Sequence, residues 1–271
     1  MIVSLFGGLG NQLFQYAFGV STAFARREQL FFTRHRTQNC KYRQPDAYGL
    51  DAFVSNIAFT NQETPNVCEE INFQFNPSVY KAPPNSTYIA CWQSERYFNT
   101  ELVRHMMTFR RPMSDQSLRV AEQIASAGPA SAFLHVRRAD YLVHVETGDD
   151  WHGCMSMNYY KEAVRRIQEQ HENVLFFVFG DDPNWERENF RGSEFTVIDH
   201  VRPDTPEIHE DIQLMSLCRH GAISNSTFAW WGAWFGDTQQ NRMVFAPNKW
   251  FKTGSLDESN VVPERWVKLG V

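Results

Sequence analysis

The chain opens with MIVSLFGGLGNQLFQYAFG (Met1–Gly19), and the order of residue types in this stretch decides how the rest is read. Met1–Phe6 is a short apolar run of the kind buried in a sheet covered on both faces. Gly7, Gly8 and Gly10 follow, after which Leu13, Phe14, Ala17, Phe18 and Phe24 recur at helical spacing through Gly10–Glu28. Strand, glycine turn and helix open a βα unit, and QLFFT (Gln29–Thr33) supplies the next strand.

The alternation continues. STYIACWQSERYF (Ser86–Phe98) restores a strand and a turn, and Glu101–Phe109 has helical spacing. From Ser117 the series becomes regular: helices over Ser117–Gly128, Met157–Gln170 and Thr205–His220, strands over Ala132–Val136, Asn173–Asp182 and Glu194–Asp199, then GAISNST, FAWWGAWFG and RMVFAPNKWF. Short strands between long helices predict parallel sheets with helices on both faces. Arg34–Pro84 is polar, aromatic and without period, so it reads as loops and short elements. The expected class is α/β with two Rossmann-like domains, residues 1–116 and 117–250, and a tail over 251–271 packing back on the first.

Composition narrows the function classes. Hydrophobic residues make up 42% and aromatics 14% of 271 residues, enough for a sizeable core. A net charge of −5 argues against a general nucleic-acid binder, which carries a basic stripe. Cys40, Cys68, Cys91, Cys154 and Cys218 are odd in number and never spaced as CxxC, which suggests neither a disulfide framework nor a zinc knot and fits a reducing cytoplasm. The first apolar run is too short for a signal peptide or membrane anchor, and peripheral membrane association is not indicated.

Four stretches can carry chemistry. In GGLGNQLF the dinucleotide pattern GxGxxG fails, because Leu13 stands where the third glycine belongs, and the second strand ends in Thr33 and Arg34 rather than an acid. In HVRRADY, Arg137 and Arg138 directly follow a strand, where guanidinium forks suit diphosphate oxygens; a surface ion pair with Asp140 is the plainer alternative. FGDD ends the next strand with Asp181 and Asp182, open to three readings: a metal on a diphosphate, hydrogen bonds to base or ribose, or a helix cap before Pro183. ISNSTFAWWGAWF sets Asn225, Ser226 and Thr227 at a helix start, which favours an anion or simple capping, while Trp230, Trp231 and Trp234 read as core. A guanidinium pair, a carboxylate pair and an anion-binding helix start together suit a nucleoside diphosphate held without a metal.

GGLGNQLFQYA, HVRRADY, FVFGDD and EDIQLMSLCRHGAISNSTFAWWGAWF, in this order, resemble the alpha-1,2-fucosyltransferases of glycosyltransferase family 11, from residue 1 to about Trp250. Ala139 departs from the glycine usual after the two arginines, and Arg34–Pro84 matches nothing in the pattern. The resemblance implies a bacterial enzyme of carbohydrate biosynthesis with a GT-B fold, two Rossmann-like domains facing across a cleft. It implies inverting transfer of L-fucose from GDP-fucose to the 2-hydroxyl of a terminal galactose on a glycan acceptor, with no cofactor and no metal. The second domain would hold GDP, with Arg137 or Arg138 on the β-phosphate, Asn225, Ser226 and Thr227 at the helix start, and His135 beside them. Asp211 would meet guanine, and Asp181 or Asp182 ribose or base. Gly8, Gly10, Asn11 and Gln12 would approach fucose or acceptor from the first domain. For a base, Asp140, His144 and Glu146 lie nearest in sequence, and acceptor choice falls to Arg34–Pro84 and Leu142–Cys154, where Tyr48, Trp151 and His152 could meet sugars. The alternatives are a transferase of the same scaffold with another donor or acceptor hydroxyl, and a catalytically silent carbohydrate-binding protein.

Overall fold

A computed structural model of the chain describes residues 1–34, 49–54, 56–62, 64–70, 73–139, 141–142, 152–201, 205–252 and 256–270. Its contacts divide it into two units, Met1–Arg111 with Leu256–Pro263, and Pro112–Ser255 with Glu264–Val271. Each unit carries a parallel sheet among the described residues, so the class is α/β as expected. No helix among these residues is long and apolar enough to cross a membrane.

In the first unit, β1 (Ile2–Ser4) lies between β2 (Phe31–Thr33) and β4 (Thr87–Ile89), and β3 (Val67–Glu69) completes the order β2-β1-β4-β3. The glycine turn leads into α1 (Leu9–Arg26), which ends where Arg27 enters the left-handed region at φ 54° and its N–H reaches the carbonyls of Ala23 and Phe24. Leu13, Phe14, Ala17 and Phe18 are fully buried. Phe24, which the spacing put on the same face, is exposed one turn from the helix end. Phe18 stacks on Trp92 with ring centroids 3.9 Å apart, joining α1 to the chain that follows β4. Asn99 caps α2 (Thr100–Met106) by accepting the Leu102 N–H at 2.9 Å. Within the same unit, Asn260 Oδ1 accepts the Phe75 N–H at 3.0 Å.

In the second unit, α3 (Asp115–Ala127) leads to β5 (Ser131–Val136), and α4 (Met157–Gln168) to β6 (Leu175–Gly180). Then come α5 (Pro183–Asn189), β7 (Phe195–Ile198), α6 (His209–Leu217), β8 (His220–Ala222), α7 (Thr227–Gly236), β9 (Val244–Pro247) and β10 (Val267–Leu269). The strand order is β10-β9-β8-β5-β6-β7, all pairs parallel. Order therefore reverses between β5 and β8, the switch point at whose carboxyl side such sheets bind ligands.

Alternation along β5 explains how both faces are covered. Ala132, Leu134 and Val136 pack with Tyr159, Tyr160, Ala163 and Ile167 of α4. Phe133 lies over Gly221 of β8, where an added Cβ would come within 2.0 Å of its ring, so this crossing requires glycine. Trp230, Trp231 and Trp234 of α7 are fully buried, as core rather than a sugar platform. The single helix expected over Thr205–His220 is shorter: a 3-10 turn (Pro206–Ile208) precedes α6, and Cys218 is already extended ahead of β8.

Candidate active site

The register of β5 on β6 pairs Val136 with Gly180, so the next two residues of each strand leave the sheet side by side. Arg137 Nε lies 3.2 Å from Asp181 Oδ2, and Arg138 Nε lies 3.4 Å from Asp182 Oδ2. The partners of these arginines are the carboxylates of the neighbouring strand end. Asp140, the partner weighed from sequence, lies outside the described residues. Asp181 Oδ1 also accepts the N–H groups of Arg138 (2.8 Å) and Ala139 (3.1 Å), which fixes the turn carrying the guanidinium groups. Asp182 caps α5 by accepting the Trp185 N–H at 3.2 Å, with Pro183 in the first turn. Arg138 stacks its guanidinium 4.8 Å above the Trp185 ring. Both arginine side chains keep part of their surface in water, 21% for Arg137 and 28% for Arg138.

Across the switch point, His135 Nδ1 lies 2.9 Å from Ser224 Oγ. Burial, with Arg137 nearby, pushes His135 down to about 3, so the ring is neutral. After β8 the chain turns into α7 with Ser226 at the N-cap, but the Ser226 hydroxyl makes no capping bond. Thr227 begins the helix and is half-buried, so the N-terminal end of α7 stands beside the β5 turn. Asn225 has a different employment from its neighbours: its Nδ2 donates to the carbonyls of His152 (2.7 Å), Gly153 (3.1 Å) and Trp250 (3.0 Å). Tyr141 donates its hydroxyl to the Asn225 carbonyl at 2.9 Å, which ties the end of the arginine motif to the same loop.

A group of buried acids lies close to these strand ends. Asp211 of α6 is almost fully buried, and its Oδ1 has no hydrogen-bond partner among the described residues. Burial first, then Glu186 and Glu210, hold its carboxyl well above the ordinary range. Glu186 of α5 is 0% exposed; its Oε1 accepts the Asp182 N–H at 3.2 Å, and burial raises it to about 7. Glu210 is held low by Ser114 and Ser117, accepting the Ser114 N–H at 2.9 Å and the Ser114 hydroxyl at 2.8 Å. Among the described residues no group of three or more His, Cys, Asp or Glu is gathered for a metal ion.

In the first unit, Gly8 is the N-cap of α1 and Gly10 is buried in its first turn. Gln12 is tied to backbone, donating to the Gly7 carbonyl at 2.9 Å and accepting the Gly49 N–H at 3.3 Å. Asn11 is half-buried and accepts Gln93 Nε2 at 3.0 Å. His144, Glu146, Tyr48 and Trp151 lie outside the described residues.

Sequence reasoning missed Ser224, Trp185, Glu186 and Gln93. Ser224 lies inside the ISNST motif, two residues beyond Ala222, the β8 partner of Leu134, and Trp185 lies three residues beyond Asp182. Glu186 and Gln93 gave no signal, since a carboxylate in a helix and an amide after a strand read as solvent-facing.

Residues 2–269 match the family described as Glycosyl transferase family 11. The chain is 29% identical to an alpha-1,2-colitosyltransferase of Escherichia coli, over 99% of this chain and 98% of that protein. It is 24% identical to the O-antigen biosynthesis glycosyltransferase WbnK of Escherichia coli, over 99% and 100% of the two chains. It is also 24% identical to the galactoside 2-alpha-L-fucosyltransferase SEC1 of Bos taurus, over 97% of this chain and 72% of that one. Among solved structures, NodZ alpha-1,6-fucosyltransferase soaked with GDP-fucose superposes with a TM-score of 0.51 at 13% identity, over 86% of this chain and 91% of that one. The fucosyltransferase NodZ from Bradyrhizobium gives 0.50 at 13%, over 86% and 92%. At such identity the likeness bears on the fold, which is of the GT-B type.

Proposed function

The chain belongs to glycosyltransferase family 11, and we propose that it moves L-fucose from GDP-fucose to the 2-hydroxyl of a terminal galactose, inverting the anomeric carbon and using neither metal nor cofactor. The observation that carries this reading is the pairing of Arg137 with Asp181 and Arg138 with Asp182 at the carboxyl ends of β5 and β6, beside the N-terminus of α7. As the sugar leaves, the diphosphate gains negative charge, and preplaced guanidinium and helix N–H groups stabilise that charge more in the transition state than in the donor. They supply the positive charge that a divalent ion supplies elsewhere.

In this reading Ser226 and Thr227 add donors to the diphosphate, Asp211 accepts from the guanine edge, and Asp181 and Asp182 aim the arginines while meeting ribose or base. Asp140 and Glu146 are the proposed bases for the attacking hydroxyl. Gly8, Gly10, Asn11 and Gln12 belong to the sugar side. The names of two relatives, the galactoside 2-alpha-L-fucosyltransferase and the alpha-1,2-colitosyltransferase, support attack by a 2-hydroxyl.

A second reading, favoured by the 29% identity to the colitosyltransferase, keeps the mechanism and changes the donor to another 6-deoxy sugar on GDP. One assay decides. Purified protein is given GDP-fucose and lactose in EDTA and then in Mn²⁺, with GDP and trisaccharide both followed. An alpha-linked trisaccharide substituted at the galactose 2-hydroxyl in EDTA supports the first reading whole. GDP release alone leaves the donor right and the acceptor wrong. Transfer from GDP-colitose in place of GDP-fucose moves the assignment to the second reading, and GDP binding with no transfer from either donor removes both.

A further inference from the structure

The carboxyl ends of β1 and β4 lie next to one another in the first unit, as those of β5 and β8 do in the second. A hydrogen bond joins the two turns: Gln93 Nε2 donates to Asn11 Oδ1 at 3.0 Å. Gln93 is 6% exposed, and its Oε1 has no hydrogen-bond partner among the described residues. A buried amide oxygen left without a partner is disfavoured unless something else arrives to bond it.

The backbone around it is held with some effort. Trp92 sits in the left-handed region at φ 55°, an uncommon conformation for a bulky residue. Its N–H donates to Glu70 Oε2 at 3.2 Å, Glu70 Oε1 accepts the Tyr97 hydroxyl at 2.8 Å, and the indole lies on Phe18. These contacts set the turn from which Gln93 reaches Asn11. On the other side, Gly8 caps α1 without a side chain, and a Cβ added there would meet nothing within 4 Å. The 18-residue helix α1 thus starts at an open position, with Asn11 in its first turn bonded to Gln93.

We infer that Gln93, held by Asn11, recognises one hydroxyl of a sugar ring and so sets which monosaccharide the first unit accepts. This rests on the reading of the chain as a sugar transferase. A hydroxyl both donates and accepts, so it satisfies the lone amide atom whichever way the Gln93 amide is turned. The amides carry no charge, which suits a polyol better than a phosphate. A site of this kind rejects an analogue lacking the bonded hydroxyl, because the buried amide is then left unpaired.

The test uses the full chain with two series of substrates: GDP-L-fucose against its 2-, 3- and 4-deoxy forms, and lactose against forms deoxygenated at the galactose 3-, 4- and 6-positions. Wild-type protein is expected to reject one analogue by about 10²-fold or more in kcat/KM. In Gln93→Leu that ratio is expected to collapse to within about threefold, with the GDP Kd from calorimetry unchanged. Collapse in the donor series assigns the hydroxyl to the transferred sugar, and collapse in the acceptor series to galactose. Asn11→Ala, which removes the partner of Gln93, should blunt discrimination at the same hydroxyl, and it decides the matter if Gln93→Leu does not fold. All ratios preserved in both variants, with GDP binding intact, overturns the inference. If the wild type transfers from no GDP sugar, the functional reading fails on its own, and saturation-transfer NMR with free L-fucose and lactose then decides. A ring-proton saturation signal present in the wild type and absent in Gln93→Leu supports the inference, and identical signals in both proteins overturn it.

Discussion

His135 Nδ1 and Ser224 Oγ, 2.9 Å apart, tie β5 to β8 where the strand order reverses. Burial and Arg137 hold the imidazole at about 3, far below 6.5, so the ring is neutral and serves as a hydrogen-bond partner. Its folded-state value lies below the unfolded one. The stability it supports is therefore complete above pH 6.5 and is lost as pH falls toward 3.

His135→Asn, which keeps a polar partner for Ser224, is expected to leave the shape of the pH profile of kcat/KM between pH 5 and 8 unchanged after scaling. A limb that disappears or moves in this variant would show that His135 titrates during the reaction.

Glu186 tilts stability the other way. Burial lifts it from 4.5 to about 7, against the bond from the Asp182 N–H and with Asp181 and Asp182 adding to the rise. Its contribution is full below pH 4.5 and is lost as pH rises through 7, and the shift corresponds to about 3 kcal/mol. Glu186→Gln keeps the acceptor for Asp182 without the charge. In urea denaturation it should match the wild type within about 1 kcal/mol at pH 5 and exceed it by about 3 kcal/mol above pH 8. A difference that does not change with pH would show that Glu186 does not titrate in the folded chain.

Arg138→Ala should lower transfer by about 10²-fold or more, the scale for losing one charge-stabilising donor. Arg137→Ala, measured beside it, identifies which arginine faces the β-phosphate by the larger loss in kcat. Near-normal activity in both would remove the arginines from the diphosphate.

Asn225→Ala removes the bonds that Asn225 Nδ2 donates to the carbonyls of His152, Gly153 and Trp250. A cost of about 2–4 kcal/mol is expected, seen as a lower melting temperature. If the melting temperature holds while GDP affinity falls, Asn225 acts on the ligand rather than on the loop.

How much was legible in sequence follows element by element. Phe176, Phe177, Val178 and Phe179 are fully or almost fully buried, and a run of that kind announces a central strand. β3 and β10 gave no such signal: each is three residues at a sheet edge, two of them exposed, and only pairing with a neighbour makes it a strand. For β8 only His220 was read into the preceding helix, the expected strand beginning one residue later at Gly221. In the site, the arginine and aspartate pairs stood out as motifs, but who pairs with whom depends on the register of β5 on β6. Gln93 and Glu186 became visible only through burial, which local sequence does not encode for polar residues.

That register has a consequence for traffic through the site. Arg137, Arg138, Asp181 and Asp182 sum to zero before any ligand arrives, so no naked positive patch projects a field into solvent. On the proposed reading a diphosphate enters by exchange, displacing counter-ions that the chain itself supplies and keeps within reach. The same carboxylates recapture the guanidinium groups as the product departs. On the proposed reading the strand ends behave as a built-in ion exchanger, trading some tightness for release.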